Sequence, residues 1–174
     1  MAASAFVDKL NEQLGHEFGA HQQYIAIATY YDAQTMPQMA GLFYAQALEE
    51  RDHAMMMVQY LLDSDETPVI PALEAPRSDF ADVVEPVVLA LEQEKRVTDQ
   101  INELTRIARE HNDFASDQFM QWFIKEQVEE VAKMSDLLAV VTRSKDDYER
   151  IEDWVAREDS GDDNDPTAPP IAGA

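Results

Sequence analysis

Four long stretches of the chain repeat apolar residues at the period of an α-helix. In the first, Phe6, Leu10 and Leu14 fall on one face, with polar residues between them. At a rise of about 1.5 Å per residue, each stretch predicts a helix of roughly 40 Å. Helices of equal length bury their apolar faces by packing side by side, so the pattern predicts an all-α bundle. The four stretches cover about residues 5–32, 38–64, 82–110 and 115–143.

The connections between these stretches decide how the helices are arranged. Pro37 separates the first two helices and suits the first turn of the second. Three prolines between residues 68 and 76 are too close together for a helix, so helices two and three are joined by a long crossover. Residues 111–114 form a short turn, which makes helices three and four antiparallel neighbours. We therefore predict a four-helix bundle with one long crossover, and residues 145–158 supply a short C-terminal fifth helix.

The length of the chain allows one sizeable core but is short for two. It has 174 residues, of which 45% are hydrophobic. We predict a single domain over residues 1–157. Residues 158–174 are acidic and rich in Pro, Gly and Ala, with little to bury, and are predicted to form a disordered, solubilising tail. A docking peptide is the alternative interpretation of this tail.

Charge and cysteine content narrow the classes of partner. A formal net charge of −22 argues against nucleic acid, which is bound through clustered Lys and Arg, and weakly favours cations. The absence of cysteine excludes thiolate metal sites, so any metal must use oxygen and nitrogen ligands. No apolar run approaches the roughly 20 residues of a membrane span, and the N-terminus lacks a signal-peptide pattern. We expect a cytoplasmic protein without a membrane partner.

One glutamate lies near the midpoint of each predicted long helix. These are Glu17, Glu50, Glu94 and Glu130, and His53 follows Glu50 by one helical turn. Each is in phase with the apolar stripe of its helix, so all five are predicted to point inward at one level of the bundle. Four buried carboxylates repel one another and ionise together only beside strong positive charge. Two divalent cations would supply that charge.

The ligand types leave the identity of the metal partly open. Iron or manganese suits an oxygen-rich set with one imidazole, and zinc would accept the same residues. A single glutamate on a helix is more often solvated, and a polar network without metal is the alternative for the group. Four glutamates at matching heights favour the metal centre.

These residues resemble the di-iron site of bacterial non-haem ferritins, and the resemblance covers roughly residues 5–157. The ferritin-like pattern places one Glu on each of two helices and Glu-x-x-His on each of the others. Glu17 and Glu94 match the single positions, and Glu50 with His53 matches one pair. Helix four ends its motif in Glu130 instead of His, which is the ferritin variant and argues against bacterioferritin or a symmetric di-iron oxygenase.

The resemblance implies a role for each of these residues. One iron would be bound by Glu17, Glu50 and His53, and the second by Glu94 and Glu130, with Glu50 bridging the two. Gln127 would lie beside the second iron as a hydrogen-bonding group or weak ligand.

Further residues match secondary features of the family. Glu49, Glu126 and Glu129 match a third iron position, with a solvated acidic cluster at the cavity surface as the alternative. Tyr24 matches a central tyrosine that lends an electron or a hydrogen bond, although a core tyrosine would look the same in sequence. Asp117 matches the acidic lining of the threefold entry pores, or it simply interacts with a helix dipole.

The function implied by this resemblance is iron storage with ferroxidase activity. Two ferrous ions would react with O2 or H2O2, and ferric product would be stored inside a homo-oligomeric shell of 24 subunits. Haem is not expected, because Asp52 stands where bacterioferritin has its haem-binding methionine. Met55, Met56 and Met57 are displaced from that place and are predicted to fill core or interface positions.

Three rival functions stay open at this stage. One is a storage shell, or a polar-centred bundle, without catalytic oxidation. Another is a different di-iron enzyme, such as a hydroxylase or a rubrerythrin, although the latter normally carries a cysteine-bound iron that this chain cannot supply. A miniferritin binds iron between two subunits, which the complete ligand set within this chain argues against.

Overall fold

The computed structural model describes residues 2–158 and 165–174 and contains five α-helices in these ranges. No strand is present in the described residues, and the predicted all-α bundle with a short fifth helix is confirmed. None of the helices described is both long and apolar enough to cross a membrane. The helices are α1 Ser4–Ala33, α2 Pro37–Asp63, α3 Glu85–Glu110, α4 Phe114–Arg143 and α5 Tyr148–Glu158.

Two apolar clusters fill the bundle, one on each side of the level of the mid-helix glutamates. Both contain side chains from all four long helices. The first, here called the Tyr24 cluster, includes Tyr24, Ile27, Phe43, Val87, Leu91, Met134 and Leu137. The second, here called the Phe6 cluster, includes Phe6, Leu10, Met57, Val97, Ile101, Met120 and Phe123.

The order in which each helix contributes to the clusters shows its direction. Helix α1 contributes first to the Phe6 cluster and, after Glu17, to the Tyr24 cluster, and α4 follows the same order. Helices α2 and α3 contribute in the opposite order: residues before Glu50 and Glu94 belong to the Tyr24 cluster, and residues after them belong to the Phe6 cluster. The parallel pair α2 and α3 is therefore the pair joined by the long crossover, as chain geometry requires.

The crossover is tied to α1 by hydrogen bonds between α1 side chains and backbone groups of the crossover. Gln23 donates from its side chain to the Arg77 carbonyl at 2.7 Å and accepts from the Arg77 amide at 2.9 Å. Nearer the start of α1, the Asn11 side chain accepts from the Val69 amide at 2.7 Å. These bonds satisfy backbone groups in a proline-rich segment that cannot form a helix.

Helix α5 packs across the beginning of α2. Ile151 and Val155 belong to the Tyr24 cluster, which buries the apolar face of α5. The carboxylate of Glu152 accepts hydrogen bonds from the amides of Gln38 and Met39 at 2.7 and 2.9 Å. Because these amides have no partner within α2, Glu152 serves as its N-terminal cap.

The predicted tail over residues 158–174 differs from the structure in its last part. Residues 159–164 lie outside the described residues, whereas residues 165–174 lie along α2 and α4. Ala168, Ile171 and Ala172 pack against the Phe6 cluster, which gives this short segment apolar surface to bury. Composition alone does not predict this packing, because the apolar surface that residues 165–174 contact exists only in the folded bundle.

Three of the helices end in the same hydrogen-bonding motif with a non-glycine residue in the left-handed region. Thr35, Asp65 and Asn112 have φ values of 60°, 62° and 55°. After α1, the amide of Met36 donates to the Tyr31 carbonyl at 3.0 Å, which closes a Schellman motif around Thr35. Asparagine and aspartate tolerate this backbone conformation, but a β-branched threonine is strained there.

Substitution Thr35→Gly should therefore stabilise the protein. We expect a gain on the order of 1 kcal/mol in the free energy of unfolding, because the strain of a β-branched side chain exceeds the entropic cost of glycine. Asn112→Gly is the matched control at the end of α3 and should gain less. Thermal and denaturant unfolding of both variants measure the difference, and equal gains would contradict the explanation.

Candidate metal centre

Helices α1 and α2 bring three potential metal ligands together at the middle of the bundle. Glu50 and His53 lie one turn apart on α2 and face Glu17 of α1. Nδ1 of His53 is 3.5 Å from Oε2 of Glu50 and 4.0 Å from Oε2 of Glu17. One ligand atom from each residue lies within 4.8 Å of the others. No residue of the three is more than 4% exposed, so the group is largely shielded from water.

Two oxygens of this group have no hydrogen-bond partner in the part of the chain that the structure describes. They are Oε2 of Glu17 and Oε2 of Glu50, and both are buried. A buried carboxylate oxygen without a partner is costly, and a cation bound between the two would satisfy both. The unpartnered oxygens face Nδ1 of His53, so the group presents an oxygen-and-nitrogen set suited to a divalent metal.

Helices α3 and α4 supply a second, more extensively hydrogen-bonded half of the centre. Glu94 is fully buried and accepts from the Tyr24 hydroxyl on one oxygen and from Nε2 of Gln127, at 3.4 Å, on the other. The hydroxyl of Thr98 donates to Oε1 of Gln127 at 3.0 Å and so fixes the orientation of the amide. The predicted positions Tyr24, Glu94 and Gln127 therefore lie together in one network.

Two buried glutamines that sequence analysis did not select also hold carboxylates in place. Gln46 donates to Oε2 of Glu130 at 2.9 Å, and Gln13 donates to Oε1 of Glu17 at 2.8 Å. Each glutamine lies four residues before a mid-helix glutamate, Gln13 before Glu17 and Gln46 before Glu50. That spacing places them on the inward face, and it is the signal that could have identified them.

Burial raises the pKa of all four central carboxyl groups. Desolvation is the largest cause in each case, and the charge of neighbouring glutamates adds to it for Glu17 and Glu50. Burial also raises the pKa of Glu94, although hydrogen bonds from Tyr24 and Gln127 oppose the shift. It raises the pKa of Glu130 to about 8. Without a metal, protons therefore compensate much of the charge.

Carboxylates at the predicted third iron position line a cavity beside His53. Its volume is about 570 Å³, and it opens on the face formed by α2 and α4. Glu49 and Glu126 are half-buried, whereas Glu129 is exposed. Glu49 pairs with Lys133 and Glu129 with Lys125, each at 3.8 Å. The acids at this position are Glu49, Glu126 and Glu129.

Asp117 lies far along α4 from the centre, in the first turn of that helix. Both of its carboxylate oxygens lie 3.1 Å from Nε of Arg109, and one accepts from the Gln121 side chain at 2.8 Å. Its contacts within the chain are thus those of a residue that joins the ends of α3 and α4. The predicted position in an entry pore stays a prediction.

Comparison with known proteins yields related sequences and structures. A family model described as ferritin-like domain matches residues 7–144, which extend over all four long helices. Ferritin BfrB of Mycolicibacterium smegmatis is 51% identical over 164 residues, 94% of this chain and 91% of that protein. Bacterial non-heme ferritin of Staphylococcus aureus is 35% identical over 147 residues, 84% of this chain and 89% of that protein. An open pore ferritin from the hyperthermophilic archaeon Archaeoglobus fulgidus matches the fold with a TM-score of 0.86 at 27% identity, over 90% of this chain and 97% of that chain.

The raised pKa of Glu130 predicts how the stability of the metal-free protein depends on pH. Its pKa is higher in the folded state, about 8, than in an unfolded chain, so folding is favoured while the carboxyl is protonated. Stability should fall as pH rises from about 4.5, the ordinary pKa of this carboxyl, to about 8, by an amount on the order of a few kcal/mol. Chelator-treated protein followed by thermal unfolding at several pH values measures this loss.

The variant Glu130→Gln should lose less stability over the same pH range, because its side chain does not ionise and only Glu17, Glu50 and Glu94 still contribute. Glu129→Gln, at the exposed neighbouring position, is the control and should behave like the original chain. If the Glu130→Gln protein loses as much stability as the unaltered protein, the buried carboxyl does not cause the pH dependence.

Proposed function

The chain belongs to the ferritin-like domain family, and on that premise we propose that it stores iron and oxidises Fe(II) to Fe(III) at a di-iron centre within each subunit. The observation that carries the proposal is the buried group Glu17, Glu50 and His53 with its two unpartnered carboxylate oxygens. Iron is the substrate here, and the chain supplies ligands, charge and position.

In this proposal, the two halves of the centre bind one ferrous ion each. Glu17, Glu50 and His53 hold the first, and Glu94 and Glu130 hold the second, with Glu50 bridging as in the family pattern. Glu50 is close enough to Glu94 and Glu130 for their charges to raise its pKa. Gln127 lies beside the second ion as a hydrogen-bonding group or weak ligand. Because burial raises the pKa of these carboxyl groups, Fe(II) binding favours their ionised forms and releases the protons that they carry.

Oxidation then uses the electrons of the bound iron. Two ferrous ions give up two electrons, which with two protons reduce O2 to H2O2, or reduce H2O2 to two molecules of water. The hydroxyl of Tyr24 is hydrogen-bonded to Glu94 and is placed to hold that carboxylate in position, or to supply one of the two electrons, which a later Fe(II) then returns to the tyrosine. Carboxylates that bind more strongly to Fe(III) than to Fe(II) favour the reaction.

Ferric product leaves towards the acids Glu49, Glu126 and Glu129, which we propose as the third iron position at the cavity surface. By family membership we further propose that 24 copies form a hollow shell, in which residues 1–157 make up the domain. Asp117 would line an entry pore of that shell, and the cytoplasm is the proposed location.

The structure gives the three consecutive methionines of α2 packing contacts that fit the proposed absence of haem. Met57 is buried within the Phe6 cluster, and Met55 packs at its edge. Met56 is largely buried and lines the cavity beside His53. Asp52 carries no haem-ligating sulfur and accepts a hydrogen bond from Arg51. The non-haem type is therefore part of the proposal.

The variants Glu50→Ala and His53→Ala test the ferroxidase centre directly. Each should lower the initial rate of Fe(II) oxidation by roughly a hundredfold, because a ligand is lost, while the assembled shell persists. Stopped-flow absorbance of ferric product, at two Fe(II) per chain in air, measures the rate, and size-exclusion chromatography measures assembly. Glu92→Ala, an exposed site on α3, is the control and should match the original chain. Oxidation at the normal rate in both ligand variants would show that the assigned residues do not form the ferroxidase centre. If the original chain oxidises Fe(II) no faster than a protein-free solution, the proposal is wrong, and a storage shell or a bundle with a polar centre remains.

The variant Tyr24→Phe tests the role of the hydroxyl. It should bind the same number of ferrous ions but oxidise them more slowly, by roughly tenfold, because Glu94 loses a strong hydrogen bond and a nearby electron donor. Anaerobic calorimetry measures binding and stopped-flow absorbance measures oxidation. Tyr31→Phe is the matched control, since Tyr31 is equally buried but donates to the Val83 carbonyl at 2.7 Å, away from the centre. Equal effects of the two substitutions would mean that oxidation is slowed by the loss of any buried hydrogen bond and not by the loss of the contact with Glu94.

A further inference from the structure

We propose that residues 165–174 form a lid over the mouth of the metal centre and govern how fast iron passes between the centre and the α2–α4 face. This inference rests on the proposed function, because it concerns iron bound at that centre. The lid residues and the ligand His53 line the same cavity of about 570 Å³. The cavity is closed on one side by Asp165, Ala168 and Ile171.

A single carboxylate fastens the beginning of the lid to α4. Oδ2 of Asp165 accepts from Nε1 of Trp122 at 3.2 Å and from Nζ of Lys125 at 3.1 Å. Its other oxygen accepts from the amide of Thr167 at 2.8 Å, which turns the chain back along the bundle. Asp165 is therefore both the latch of the lid and the residue that sets its direction.

The end of the lid is fastened to α2 by small apolar side chains. Ala168, Ile171 and Ala172 pack at the edge of the Phe6 cluster, and the amide of Ala172 donates to the carbonyl of Met55 at 3.2 Å. Only one of these side chains is large. A segment held by so few contacts is weakly bound, and it is suited to opening and closing while the bundle beneath it stays folded.

The latch contacts a residue that packs against the centre itself. The ring of Trp122 lies edge-on to the ring of His53, with 5.5 Å between the ring centroids. The hydrogen bond from Trp122 to Asp165 therefore connects the lid to a ligand through one aromatic side chain. Closing the lid fixes the tryptophan that forms one wall of the mouth.

The acidic character of the mouth indicates that the passing species is a cation. Glu49, Asp52, Glu126 and Glu129 line the same cavity, while Lys125 is held between Asp165 and Glu129 at 3.1 and 3.8 Å. Opening the lid would remove one carboxylate and widen the passage. Transit of iron between the centre and the outside should then become faster.

Recovery of the oxidation burst measures this transit in the full-length protein. The centre is first filled with two Fe(II) per chain and oxidised in air; a second portion of Fe(II) is then added after increasing delays. The amplitude of the first burst tests the proposed function, and the rate at which a full second burst returns reports departure of product. A missing first burst would therefore refute the ferroxidase proposal, and an unchanged recovery rate would refute only the lid.

The variants Ile171→Asp and Asp165→Ala remove the apolar anchor and the latch respectively. Each should leave the amplitude of the first burst unchanged and speed its recovery by roughly fivefold or more, the factor expected when a net hydrogen bond or a small apolar contact is lost. Ala174→Asp introduces the same charge at an exposed end and should recover at the original rate. Recovery that is unchanged or slower in both lid variants would overturn the inference.

The fluorescence of Trp122 gives a second readout that does not depend on iron. The chain contains two tryptophans, so Trp154→Phe leaves Trp122 as the sole reporter. In that background, Asp165→Ala and Ile171→Asp should shift the emission to longer wavelength and make Trp122 more accessible to a soluble quencher. Emission and quenching identical to those of Ala174→Asp would mean that residues 165–174 do not cover the mouth.

Discussion

Repulsion among four buried carboxylates is the constraint on which the rest of this structure depends. Glu17, Glu50, Glu94 and Glu130 come from four different helices and meet at one level, where burial raises the pKa of each. The charge there must be compensated by protons or by cations. A bundle can hold such a layer because its backbone is fully hydrogen-bonded within rigid helices, so the side chains cannot simply move apart.

Hydrogen bonds are distributed unevenly over this layer. Both oxygens of Glu94 are bound, by Tyr24 and Gln127, whereas Glu17 and Glu50 each keep one buried oxygen without a partner in the described residues. A cation entering the α1–α2 half meets free oxygens, but one entering the other half must compete with existing donors. In the proposed mechanism, this difference favours filling of the His53 half first.

The long elements could be predicted from sequence because an apolar period of 3.6 sustained over 26 or more residues is a strong signal. The burial of the mid-helix glutamates followed from the same period. The supports Gln13 and Gln46 were missed because a polar residue beside a stripe looks like a solvated one until its partner is known. The contacts of residues 165–174 could not be predicted from the sequence, since they depend on a surface that exists only after the bundle folds.

Positive charge near the centre is arranged so that affinity for cations should rise from the mouth inward. At the mouth, Glu49 and Glu129 each have a lysine within 3.8 Å, so an arriving cation must displace or share that partner. Among the described residues, no lysine or arginine lies within ion-pair distance of the four central carboxylates. The binding free energy of a cation is therefore most favourable at the centre, where no positive side chain offsets the charge of the four carboxylates. It is less favourable at the mouth, where lysines already compensate the charge. A weakly held lid at the mouth can then control the rate of exchange without having to supply affinity of its own.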